Sequence, residues 1–131
     1  VENTSTAKAI NDHKLIVASL NNIGSTYFAQ EKIDRSLDAF FEALEVQRSY
    51  LIKYFGGQPQ QDEMAAGLTR EMGAVLTTML QTLNNLAHVH DFMDDKPSSS
   101  FLLDTASSIE KTFHANASAS ICETTEQIVE M

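Results

Sequence analysis

The stretch "SLNNIGSTYF" (Ser19–Phe28) decides how this chain is read, because it returns as "TLNNLAHVHDF" (Thr82–Phe92). Both contain Leu-Asn-Asn-apolar-small, and Leu20 and Leu83 are 63 positions apart. Around each copy the apolar residues fall at helical spacing. Asparagine is a poor helix former, since its amide competes with the backbone for hydrogen bonds. Two asparagines written twice in helical settings therefore ask for a reason other than propensity.

Working outward, Ile10, Leu15, Ile16, Leu20, Ile23 and Tyr27 predict a first helix over about 5–30. "AQEKID" breaks the pattern, and Asp34 is the expected N-cap of a second helix carrying Leu37, Phe40, Phe41, Leu44, Tyr50 and Leu51. Gly56, Gly57 and Pro59 end it. A third pattern runs from about Gln60 to Phe92 through Met64, Leu68, Met72, Val75, Leu76, Met79, Leu83 and Leu86. "DDKPSSS" closes it, and Pro97 suits the first turn of a fourth helix with Phe101, Leu102, Leu103, Ala106, Ile109 and Phe113. "HANASAS" loosens the chain, and a partial fifth helix is expected over about 122–131. No alternating β pattern occurs.

Sliding the second half back by 63 residues pairs Leu20 with Leu83, Ile23 with Leu86, Gly24 with Ala87 and Tyr27 with His90. Beyond the turn, Ser36 meets Ser99, Phe40 meets Leu103 and Ala43 meets Ala106. Only His90 for Tyr27 departs in character. This spacing resembles the tetratricopeptide repeat (TPR), and the Leu-Asn-Asn-Leu-Ala wording at 83–87 is similar to its kinesin-light-chain style. Leu stands where the family usually has Trp, and Arg48 and Lys111 stand at its final Pro. The basic repeat is about 34 residues, so a 63-residue period lengthens each helix by roughly three or four turns, on the order of 15–20 Å. The resemblance implies an all-α protein of two long antiparallel helical hairpins, solenoid- or bundle-like. Repeat 1 covers about 5–55 and repeat 2 about 60–118, in one domain. The small residues Gly24 and Ala87 are expected where the two helices of a hairpin cross closely.

In this family helix A lines a concave groove. The resemblance places Ala18, Asn21, Ser25 and Phe28 there in the first copy, and Gln81, Asn84, His88 and Asp91 in the second. A side-chain amide both donates and accepts, so Asn21 and Asn84 could grip a partner's main chain at repeat intervals. The alternative is that they bond to the neighbouring helix and set repeat packing. Asn22 and Asn85 lie about 100° round the helix and suit packing or capping. The family's chaperone-tail clamp is not matched, and Asp91 would repel a carboxylate.

The formal charge is −9, divided −3 over 1–63 and −6 over 64–131. That disfavours phosphate backbones and anionic lipid. Hydrophobic content of 43% is that of a soluble globular protein. No run of 18 apolar residues exists, no signal peptide is visible, and the compartment is not indicated. The initial Val1 suggests a processed form or a piece of something longer. Cys122 is the only cysteine, so no intramolecular disulfide forms and nothing marks it as a nucleophile. Asn3-Thr-Ser5 and Asn116-Ala-Ser118 are sequons of the kind that arise by chance.

"HVHD" (88–91) is a weak metal signal. His88 and His90 diverge by about 200° on a helix, and His88 with Asp91 gives too few ligands. Ser98, Ser99 and Ser100 sit at a helix N-terminus where phosphate would be favourable, but a solvated turn explains them. The methionines at 64, 72 and 79 read as core. No reactive grouping or cofactor motif is present. The expected function is non-catalytic: an interaction module or assembly subunit docking a protein partner through Asn21, Ser25, Phe28, Asn84, His88 and Asp91. Its competitor is a structural bundle subunit that fills a place in a large complex through outer faces or helix ends.

Overall fold

The computed structural model describes residues 2–55, 62–115 and 127–128. It contains helices α1 (Glu2–Ala29), α2 (Ile33–Phe55), α3 (Asp62–Phe92) and α4 (Lys96–Ala115). No strand occurs among the described residues. At 28 and 31 residues, α1 and α3 are more than 40 Å long at about 1.5 Å per residue.

The two hairpin turns are the same object. Glu31 and Asp94, 63 positions apart, adopt φ of 61° and 62° in the left-handed region. The Glu31 amide donates to the Phe28 carbonyl (2.9 Å) and the Lys32 amide to the Tyr27 carbonyl (2.9 Å). In the second copy the Asp94 amide donates to Asp91 (3.0 Å) and the Asp95 amide to His90 (2.8 Å). Each is a Schellman cap, which satisfies the last carbonyls of a helix and reverses the chain. The next helix starts alike: the Ser36 amide donates to the Lys32 carbonyl, and the Ser99 amide to Asp95.

The register also explains His90. In a Schellman cap the residue after the left-handed one lies against the residue five back. In the first turn that pair is Lys32 over the Tyr27 ring, with Nζ 5.9 Å from its centroid. In the second it is Asp95 beside His90, with Oδ2 3.3 Å from Nδ1. Tyr27 with Lys32 in the first turn thus stands where the second turn has His90 with Asp95.

The turns correct one expectation. Asp34 is not the N-cap of α2: the helix starts at Ile33, so Asp34 lies in its first turn and complements the macrodipole instead. Asp95 does cap α4, its Oδ1 accepting from the Ser98 amide at 3.2 Å. Gly56, Gly57, Pro59 and the onset of the fifth helix lie outside the described residues. So do Asn116 and Cys122.

Within each hairpin, α1 packs on α2 and α3 on α4. Between hairpins, α3 packs on both α2 and α1, whereas the backbone of α4 reaches only α3 among the described residues. The order is therefore a stack, in which α3 settles on the first hairpin and α4 closes against α3. The core lies along α3, where Met72, Met79, Leu83 and Leu86 are sealed from solvent. Each such side chain contributes about 1.5–3 kcal/mol by burial. Gly24 and Ser36 seal the first crossing. A Cβ on Gly24 would come within 2.6 Å of the Phe40 ring, and the Ser36 hydroxyl donates to the Gly24 carbonyl at 2.8 Å. At the far end Ile128 is fully buried in the same core as Leu51 and Ile109. Arg48 donates through Nε to the Ile128 carbonyl at 3.1 Å.

Candidate functional site

Of the residues singled out in the sequence, Asn21, Phe28 and His88 meet at the seam between α1 and α3. Asn21 lies inside it, 9% exposed. Its Nδ2 donates to the Thr82 hydroxyl at 3.0 Å, and that hydroxyl lies 3.2 Å from its Oδ1. Asn85 Nδ2 also approaches Asn21 Oδ1, at 3.4 Å. Asn21 therefore ties the two hairpins together rather than facing a groove. From α2, Gln47 adds a second link to α3, its Nε2 donating to the Thr78 hydroxyl at 3.1 Å while its Oε1 is buried without a hydrogen-bond partner. Buried amides and hydroxyls aligned this way fix the register of a helix pair, because a slip would strand them without partners.

The other residues lie at the surface. Ala18, Ser25, Gln81, Asn84, His88 and Asp91 are exposed, and Phe28 is half-buried. Phe28 meets His88 edge-on, with centroids 5.3 Å apart at 63°. It also meets Phe92, at 5.2 Å and 80°. Phe92 is 58% exposed. The seam thus ends, near the hairpin turns, in an open aromatic cluster drawn from α1 and α3. Such edge-to-face contacts contribute roughly 0.5–1.5 kcal/mol beyond burial. Asp91 does not stand free: Lys96 forms an ion pair with it. Asn22 is exposed, and its carbonyl accepts from the Thr26 hydroxyl at 2.8 Å.

Asn84 occupies different ground. With Asn85 it borders a pocket of about 700 Å³ between α3 and α4, whose apolar wall includes Leu76, Leu80, Ile109 and Phe113. Asn21 and Asn84 share one local sequence but not one environment, because α3 covers the first.

Among the described residues no group of three or more His, Cys, Asp or Glu is placed to hold a metal ion. His88 faces Phe28, while His90 faces Asp95 and the Phe41 ring, which keeps the two apart. The Asp95 carboxyl is held below its ordinary range by the Ser98 hydroxyl and amide, with a smaller contribution from His90. Ser99 is buried, so of the three serines only Ser100 is fully exposed. No helix among the described residues is long and apolar enough to cross a membrane.

Sequence reasoning passed over three residues. Phe92 completes the aromatic cluster; its spacing of four from His88 was the available signal. Gln47 and His13 are buried polar groups within apolar stripes, and only the packing of neighbouring helices reveals their partners.

The fold and the seam together define an all-α protein of two stacked helical hairpins with a polar junction between them. No protein-family model matches the chain, and neither a curated protein nor a solved structure matches it.

Proposed function

We propose that the chain is a non-catalytic interaction module of TPR type that docks a protein partner on its α1–α3 face. The observation that carries this reading is the open cluster of Phe28, His88 and Phe92. His88 and Phe92, exposed on α3 and set against the half-buried Phe28 of α1, offer the apolar anchor of a protein contact. TPR membership is supported by the motif positions and by hairpin turns that repeat in the same register. The acidic surface favours a partner that is basic or neutral.

The test is capture of partners by the wild-type chain and by the double variant His88→Ala, Phe92→Ser, with hydrogen exchange on the complex. Both residues are exposed, so the variant should stay folded, with Tm lowered by several degrees through loss of the two contacts to Phe28. Partners lost by the variant, with protection on α1 and α3, support the reading. Equal capture, with protection on α2 or α4 only, moves the function to the competing role of a structural subunit. That role has its own supporting observation, the apolar residues bare at the two ends of the stack.

A further inference from the structure

The 63-residue register makes the junction between the hairpins a template for what the two ends of the stack can bind. In the junction, α3 presents Met79 and Leu86, both fully buried, to the first hairpin. The same positions on α1 are Ile16 and Ile23, which are 49% and 45% exposed. The first hairpin presents Phe40, 2% exposed, and Asn21 to α3. The same positions on the second hairpin are Leu103, 47% exposed, and the exposed Asn84. Each end is thus bare where the junction is covered.

The ends also complement one another in detail. Asn21 bonds to Thr82 and is approached by Asn85 at 3.4 Å. For Asn84 the corresponding partners are a serine and an asparagine, Ser19 and Asn22, both exposed on α1. Leu103 corresponds to Phe40, which packs with Leu86 in the junction. Its counterpart across a new junction is Ile23, which borders a hollow of about 270 Å³ with Leu20, Tyr27 and Ala39. The pocket between α3 and α4 corresponds to the place on α1 and α2 that α3 occupies. Its Leu80 and Phe113 stand for Val17 and Tyr50. One rung changes: Glu110 replaces Gln47 and Leu15 replaces Thr78, so a hydrogen bond gives way to contact along the glutamate stem.

We propose that these two ends bind each other between copies of this chain. The outer face of α1 in one copy seats on the α3–α4 pocket of the next, in the arrangement by which α3 seats on the first hairpin. Such a contact is heterologous, so it does not close at a dimer but continues as a stack. It uses Ile16, Ile23 and Leu103 rather than the Phe28–His88–Phe92 cluster, so its failure leaves the proposed function standing, and the converse holds.

The experiment is sedimentation of the whole chain over a range of concentrations, with one variant blocked at each end. Ile23→Glu blocks the α1 face and Leu103→Glu blocks the α4 side. Both positions are exposed, and circular dichroism checks that each variant is folded. The wild type should rise with concentration past the mass of a dimer. Each variant alone should stay monomeric at ten times the concentration at which the wild type associates. Mixed, the two should form a one-to-one dimer and go no further, because one intact α1 face and one intact pocket remain. A wild type that stays monomeric, a dimer that survives in either variant alone, or a mixture that remains monomeric overturns the proposal.

Discussion

The side-chain amide of Asn85 reaches toward the carbonyl oxygen of Asn21 at 3.4 Å, so the second asparagine of one Leu-Asn-Asn meets the first asparagine of the other. The contact is long for a hydrogen bond. Thr82, at 3.0 Å, is the closer partner of Asn21. The junction thus takes the first asparagine of one repeat and the second of the next, while Asn22 and Asn84 stay exposed.

Asn21 and Asn84 should therefore behave differently when truncated. Asn21→Ala removes the buried link to Thr82 and Asn85, and should cost about 1–3 kcal/mol. Asn84→Ala removes an exposed amide and should lie within about 0.5 kcal/mol of wild type. Urea denaturation of the two single variants checks this. Equal losses would contradict the assignment of Asn21 to the junction.

Gly24→Ala sets helix propensity against packing. The substitution gains about 1 kcal/mol of propensity in a helix interior. The new methyl, however, would lie 2.6 Å from the Phe40 ring, and overpacking typically costs about 1–3 kcal/mol. We expect net destabilisation. The double variant Gly24→Ala, Phe40→Leu reproduces the Ala87 and Leu103 pairing of the second hairpin and should recover part of the loss. No recovery would mean that Phe40 is not the obstacle.

The left-handed turns offer a gain. Glu31 and Asp94 hold φ near 60° with a side chain attached, at a cost of about 1–2 kcal/mol per residue. Glycine there relieves the strain but adds unfolded-state entropy. Asp94→Gly should raise stability by about 0.5–1 kcal/mol, read as an increase in Tm. A lower Tm would show that the Asp94 side chain does work that the turn geometry does not reveal.

His13 supplies a pH dependence. It is 4% exposed, its ring stacks on Tyr50 with centroids 4.3 Å apart, and its Nε2 is buried without a hydrogen-bond partner. Burial lowers its pKa below the ordinary 6.5. Between the folded and unfolded values the unfolded chain holds a proton that the folded chain lacks. Stability due to His13 is thus complete above the unfolded value and falls as the pH drops toward the folded one. The slope is at most about 1.4 kcal/mol per pH unit for one proton. His13→Leu, which installs the residue found at the matching position Leu76, should lose less stability between pH 7.5 and 5.5. Parallel pH profiles would assign the effect elsewhere.

The helices and their period were legible in the sequence because both are local. Apolar residues at helical spacing mark a buried stripe whatever it is buried against, and "AQEKID" and "FMDDKPSSS" mark reversals where that spacing breaks. The repeat could be found because a turn of one geometry asks for similar residues both times, with Lys32 and Tyr27 exchanged for Asp95 and His90 as a pair. The sequence could not tell Asn21 from Asn84, or Ile23 from Leu86. Their neighbours along the chain are nearly alike, and burial belongs to whatever lies across from a side chain. In the tertiary structure α3 covers the first hairpin and hides Asn21 and Phe40. The matching face of the second hairpin leaves Asn84 and Leu103 open, so one motif forms a junction in one place and a surface in the other.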